Sequence, residues 1–290
     1  MSPVQNKGAH ARNFPPTPLI LDGKEIESEP DQGELTRRYT EKAVSFIKDH
    51  SKEPFFLYFA HTFPHIPLYT NARFEGTSKR GLYGDVVEEI DWSVGEVLKA
   101  LRENGLDENT FVIFTSDNGP HHEGGADPDF FKSYGPFRGI KRDVYEGGIR
   151  IPMVAWCPGT IKAGAQSDHI SAFWDVMPTL AELTGTVLPE KTDGISFLPT
   201  LLSKKDQQAH DYLYWEFHEL NGREALRSGK WKLIRQPIVG ETILELYDLS
   251  NDIHEDTNLA EKYPDKVKEL VSLMDNARTE SPYFDFGREK

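Results

Sequence analysis

"TFVIFTSDNG", residues 110–119, runs from β-prone apolar residues straight into an acid, an amide and a glycine. Phe111 to Phe114 read as a short buried strand bounded by turn residues. Just upstream, Val87, Ile90, Val94, Val97, Leu98 and Leu101 recur at helical spacing and stop at "ENG", a helix that feeds the strand. The same order occurs once before. Leu35, Tyr39, Ala43 and Phe46 share one helical face in "DQGELTRRYTEKAVSFIKDH", after which Pro54 opens "PFFLYFA" as a second buried strand. Helices alternating with strands predict an α/β fold, a mostly parallel sheet flanked by helices. "IRIPMVAWCPG" continues it with a third strand, and "FWDVMPTLAELTG" with a short helix stopped by Gly185.

From about residue 206 the texture changes. "DYLYWEFHE", "REALRSGKWKLIR" and "ILELYDLS" are short aromatic and β-branched runs divided by turn residues, and "YPDKVKELVSLMDNAR" follows with helical periodicity. These predict a small antiparallel sheet plus a helix. The expected division is therefore residues 1–205 as the α/β portion and 206–290 as an α+β subdomain.

Composition narrows the function. The 290 residues carry 33 Lys and Arg against 47 Asp and Glu, a formal charge of −14, which excludes a nucleic-acid groove or an anionic membrane surface as the general partner. No apolar stretch approaches the length of a membrane span. The N-terminal "MSPVQNKGAHARNFPPTP" lacks the hydrophobic region of a signal peptide, so the chain is either cytosolic or begins upstream of Met1. Cys157 is the only cysteine, which rules out an internal disulfide.

Strand tips in parallel α/β sheets are where ligands gather. Asp117 and Asn118 put two oxygen donors side by side at such a tip, the ligand type of Ca²⁺ or Mg²⁺ rather than zinc; Asp-Asn-Gly is equally a turn signal. The next segment, "GPFRGIKRDVYEGGIRIP", bears Arg138, Lys141, Arg142 and Arg150 in an acidic protein. Lysine there offers a point charge to a tetrahedral anion, while the arginines either fork oxygens or pair with Asp143 and Glu146. His65, in "FPHIPLY", is placed to act as a general acid or base, with His61 its equal by position.

Taken together, "PFFLYFAHTFPHIPLY", "YGDVVEEIDWSVGEVLKALRENGLDENTFVIFTSDNGP" and "RGIKRDVYEGGIRIPMVAWCPGTI" resemble the type I sulfatases of the alkaline phosphatase superfamily, nearest to the arylsulfatase A-like branch. "TRRYTEKAVSFI", "HISAFWDVMPTLAELTG", "ALRSGKWKLI" and "ELYDLSNDIHEDTNLA" extend the resemblance over nearly the whole chain. It implies that Asp117 and Asn118 ligate a divalent metal, usually calcium with magnesium as the alternative, and that Lys141 and His65 contact the sulfate ester near its leaving oxygen. It also implies a hydrated formylglycine, made from a C/S-x-P-x-R motif, that attacks sulfur. A sulfated small molecule or glycan would be the partner, with His121 and His122 candidates to line its pocket. An exported, periplasmic or lysosomal location is the family's usual one.

The chain departs from that pattern in its catalytic set. Cys157 opens "CPGTI", with Gly159 and Ile161 where the motif needs Pro and Arg; Ser28 opens "SEPDQ", with Gln32 for Arg. Neither is the formylglycine precursor. The family's paired aspartates on its first strand have no counterpart here. The expectation is that Met1 falls inside a longer sulfatase and that this chain alone is inactive and poorly soluble, because a parallel sheet without its early strands exposes edges and apolar faces. The alternatives are an inactive sulfatase-like protein that binds sulfated sugars, or a phosphatase or phosphodiesterase of the same superfamily.

Overall fold

The structure, a computed structural model, describes residues 16–124, 126–188 and 190–283. It divides into two compact units: residues up to Thr110 with His122–Asp127, and Phe111–His121 with the chain from Pro128 onward.

In the first unit, β1 (Pro18–Leu21) and β2 (Lys24–Ser28) form an antiparallel hairpin. It turns at Asp22 and Gly23, both at positive φ, as an Asp-Gly hairpin turn requires. Helix α1 (Leu35–Asp49) packs on α2 (Gly81–Glu103). The periodicity placed both helices, but the buried face of α2 is not the aliphatic stripe alone. Val87 is 44% exposed, whereas Asp85, Glu89 and Ser93 are buried. Each of these polar groups has a partner that justifies its burial. Ser93 Oγ lies 2.6 Å from Thr40 Oγ1 of α1, Asp85 accepts the Gly76 and Ser78 N–H groups, and Glu89 accepts from Thr70 and Asn71. Phe63, Leu68, Val86 and Ile90 form the apolar core beside them.

Residues 54–60 depart from expectation. They form no hydrogen-bonded strand, and their side chains alternate, Phe55, Leu57 and Phe59 half-buried, Phe56 and Tyr58 69% and 78% exposed. The alternation is that of a pleat, but a strand is defined by its ladder, and no described residue supplies one.

The second unit begins with β3 (Val112–Thr115), which pairs antiparallel with β4 (Met153–Trp156). Every strand pairing among the described residues is antiparallel, so the expected mostly parallel sheet is not formed among them; its ladders would require neighbours for 54–60 and β3 from other βαβ units. Short helices α3 (Pro128–Phe131) and α4 (Glu146–Ile149) flank the loop between β3 and β4. Helix α5 (Val176–Thr184) ends, as the sequence indicated, at Gly185 in the left-handed region, and α6 (Leu198–Leu201) follows.

The antiparallel sheet was fully legible. Strands β5 (Leu213–Phe217), β6 (Arg223–Ser228), β7 (Trp231–Gln236) and β8 (Ile243–Asp248) pair in sequential order, and α7 (Pro264–Ala277) follows. Alternation gives the sheet two buried faces. On one, Leu226, Leu233 and Leu246 meet Leu270 and Met274 of α7; on the other, Ala225, Ile234 and Tyr247 meet Val144 and Tyr145 of the glycine-punctuated loop.

Candidate functional site

Two segments build the site in the second unit. The first is the tip beyond β3, where Asp117 is exposed, Asn118 half-buried and Gly119 buried. The second is the loop from Arg138 to Gly148. Two backbone bonds join them, Gly119 N–H to Gly148 O at 2.9 Å and Lys141 N–H to Pro120 O at 2.7 Å, and a third closes the loop on itself, Gly147 N–H to Arg138 O at 2.7 Å. The approach is close enough to exclude side chains. A Cβ on Gly119 would fall 1.9 Å from Gly147 O, one on Gly147 2.2 Å from Gly139 O, and one on Gly148 2.2 Å from Asp143 O. The glycines that punctuate this sequence are therefore there for contact between backbones.

The cations of the loop sort by partner. Arg138 donates to Glu255 O at 2.8 Å and lies over the Tyr145 ring at 4.1 Å; Arg150 lies 3.6 Å from Glu146 and over the Phe137 ring at 4.7 Å. Asp143 is taken by Arg223, which also donates to Arg142 O at 3.0 Å. Lys141 is half-buried, and its ammonium has no hydrogen bond or ion pair with any described residue. Its compact point charge is therefore not committed to a carboxylate of the described residues.

At the tip, Asn118 Nδ2 donates to Asp117 Oδ1 at 3.0 Å, so the two side chains lie together. Asp117 Oδ2 and Asn118 Oδ1 remain as hard oxygen donors, which fit Ca²⁺ or Mg²⁺ in chemistry and supply a minority of a calcium shell of about six to eight oxygens. No group of three or more His, Cys, Asp or Glu among the described residues is arranged to hold a metal. His121, in the same unit, is half-buried.

His65 and His122 belong to the first unit, and both are exposed. His65 Nδ1 lies 2.7 Å from the Ile66 carbonyl, a contact in which a protonated Nδ1 donates. A Cβ on Gly124 would fall 2.4 Å from Ile66 Cγ2, which brings the segment after His122 against the loop of His65. His61, equal to His65 by position, separates from it here. Both His61 ring nitrogens are buried with no hydrogen-bond partner among the described residues, the ring lies 4.3 Å from that of Phe59, and burial pulls its pKa below the ordinary histidine value.

Sequence reasoning missed the support behind the loop. Lys232 on β7 is fully buried, with Nζ 3.0 Å from Glu146 Oε1 and 2.9 Å from Glu255 Oε1. Burial opposes ionisation of Glu146, but Lys232 and Arg227 outweigh it and hold its pKa low; at Glu255 burial prevails and the pKa is raised. The available signal was "WKLIR", in which Lys232 shares a strand face with Ile234.

Residues 4–186 match the family model described as Sulfatase, and residues 135–280 match that of the N-sulphoglucosamine sulphohydrolase C-terminal region. The chain is 35% identical over 260 residues to the N-acetylgalactosamine-6-O-sulfatase of Bacteroides thetaiotaomicron, an alignment covering 83% of this chain and 50% of that protein. It is 42% identical over 186 residues to the N-acetylgalactosamine-6-sulfatase of Mus musculus, covering 61% of this chain and 34% of that protein. The crystal structure of Ps i-CgsB in complex with k-i-k-neocarrahexaose superimposes with a TM-score of 0.78 at 27% identity, covering 95% of this chain and 63% of the other. The chain thus spans half or less of the length of these curated relatives.

Proposed function

The chain belongs to the sulfatase family, and from that premise we propose that it acts in the hydrolysis of sulfate esters carried on carbohydrates. One observation carries the reading: half-buried Lys141, whose ammonium has no ion pair with any described residue, is bonded through its backbone N–H to Pro120, three residues after Asp117. The relatives support the substrate class, being N-acetylgalactosamine-6-sulfatases and, in the solved structure, a protein in complex with k-i-k-neocarrahexaose.

In this reading Lys141 neutralises a sulfuryl oxygen as charge builds on it, a fixed charge that needs no reorganisation during the reaction. His65 gives its proton to the departing alkoxide oxygen, and the contact of Nδ1 with the Ile66 carbonyl orients the ring. Asp117 and Asn118 hold a divalent cation, calcium with magnesium as the alternative, which when bound polarises the sulfuryl oxygens. His121 and His122 contact the sugar. The nucleophile is a hydrated formylglycine, and no C/S-x-P-x-R motif for it occurs in these 290 residues. The same reading makes residues 54–60 and β3 strands of a mostly parallel, alkaline phosphatase-like sheet, supported by the pleated alternation of 54–60.

The test is sulfate release from 6-O-sulfated N-acetylgalactosamine and from 4-nitrophenyl sulfate by the protein in its natural full length. Lys141→Ala is expected to lower kcat by about 100-fold or more with the melting temperature unchanged. Undiminished turnover by that variant would remove Lys141 from the chemistry.

A further inference from the structure

Behind the Lys141 loop, three charges are buried together. Lys232, Glu146 and Glu255 are all 0–1% exposed. Beyond the two contacts of Lys232, Glu146 Oε2 faces Arg227 at 3.1 Å and Arg150 at 3.6 Å, and Glu255 Oε2 accepts the Glu146 backbone N–H at 2.7 Å. The Glu255 carbonyl meanwhile accepts from Arg138 at 2.8 Å. Both ends of the loop are thus tied to one cluster, Arg138 at its start and Glu146 at its end, with Lys141 between them.

Ion clusters withdrawn from water contribute little net stability, because desolvation offsets their attraction, and a well-packed apolar group of equal volume often does as well. What the cluster does supply is direction. Glu146 immediately precedes Gly147 and Gly148, whose backbones meet Gly119; displacing the Glu146 carboxylate displaces that contact and, with it, the tip bearing Asp117 and Asn118. We infer that Lys232 is a positioning residue for Lys141 and the Asp117–Asn118 pair, acting through Glu146 and Glu255. Its kinetic role rests on the sulfatase reading above; its placement of the loop does not.

The experiment uses the full-length protein with Lys232→Met, Lys232→Arg and the double variant Lys232→Met/Glu255→Gln. Lys232→Met alone strands two buried carboxylates and can unfold the protein, whereas the double variant removes one charge of each sign. Amide hydrogen exchange is read by mass spectrometry on peptides covering 116–121 and 138–150, with β6, β8 and α7 as reference. In the folded variants exchange is expected to rise about tenfold or more in the first two peptides and to stay level in the reference elements. Turnover of 4-nitrophenyl sulfate is expected to lose about 100-fold in kcat with little change in KM, and Lys232→Arg to recover part of it. Unchanged exchange at 116–121 and 138–150 in the double variant, or a rise shared equally by the reference elements, would overturn the positioning role. If the wild-type protein releases no sulfate, the functional reading fails while the exchange result still decides the placement.

Discussion

Replacing Gly119 by alanine probes the joint between the strand tip and the loop with a single methyl group. The added Cβ would lie 1.9 Å from Gly147 O and 2.9 Å from both Gly147 C and Gly148 Cα. All three are backbone atoms, so no side chain can swing aside. A carbon and a carbonyl oxygen rest at about 3.3 Å or more, so the segments must part by roughly 1.4 Å. That stretches the 2.9 Å bond from Gly119 N–H to Gly148 O beyond bonding distance and loads the neighbouring Lys141 to Pro120 bond. Two hydrogen bonds at about 0.5–1.5 kcal/mol each, with overpacking at about 1–3 kcal/mol, give a destabilisation of roughly 2–6 kcal/mol. Urea unfolding of the full-length protein measures it. Gly95→Ala on α2 is the control, since a Cβ there meets nothing within 4 Å and the helix should gain about 0.5–1 kcal/mol. Equal stability of Gly119→Ala and wild type would mean that the tip and the loop are not in contact.

Three further outcomes are expected. Glu89, buried on α2 with one carboxylate oxygen lacking a partner among the described residues, has its pKa raised above the ordinary glutamate value, chiefly by burial. A raised folded pKa stabilises the protonated form, so this contribution is complete below about pH 4.5 and is lost as pH rises through the folded value; Glu89→Gln should gain roughly 1 kcal/mol at pH 7 and nothing at pH 4 in paired denaturation curves. Asp175, 0% exposed, accepts Ala172 N–H at 2.7 Å, Ile195 N–H at 2.8 Å and His210 Nε2 at 2.8 Å, and Asp175→Ala should cost roughly 2–5 kcal/mol by stranding these donors, visible as a lowered melting temperature. His65→Gln should slow turnover by roughly 100-fold or more for an alkyl sulfate and much less for 4-nitrophenyl sulfate, whose leaving group needs no proton; equal losses on both would deny His65 the role of acid.

What the sequence revealed follows the range of the forces involved. Helices α1 and α2, the stop at Gly185 and the four antiparallel strands rest on local periodicity and turn chemistry, and all are found. Asp85, Glu89 and Ser93 were unreadable as buried residues, because their partners lie in a loop or on another helix and periodicity counts only apolar positions. The hairpin at Asp22–Gly23 had a readable Asp-Gly signal that went unused. Of the site, the oxygen donors at the tip and the lone lysine were visible as residue types beside glycines. The clamp was not, since Glu146 is 86 residues from Lys232 and 109 from Glu255, and no spacing rule joins charges so far apart.

Those separations set an order of events during synthesis. The loop bearing Lys141 leaves the ribosome long before Glu255, and at about 5–20 residues per second the interval over the 109 residues from Glu146 is roughly 5–20 s. Through that time the nascent loop has its bonds to the Gly119–Pro120 tip but not its anchors on Lys232 and Glu255, so a frameshift between residues 205 and 232 would leave every chemistry-bearing side chain of the loop in place and yet unaimed.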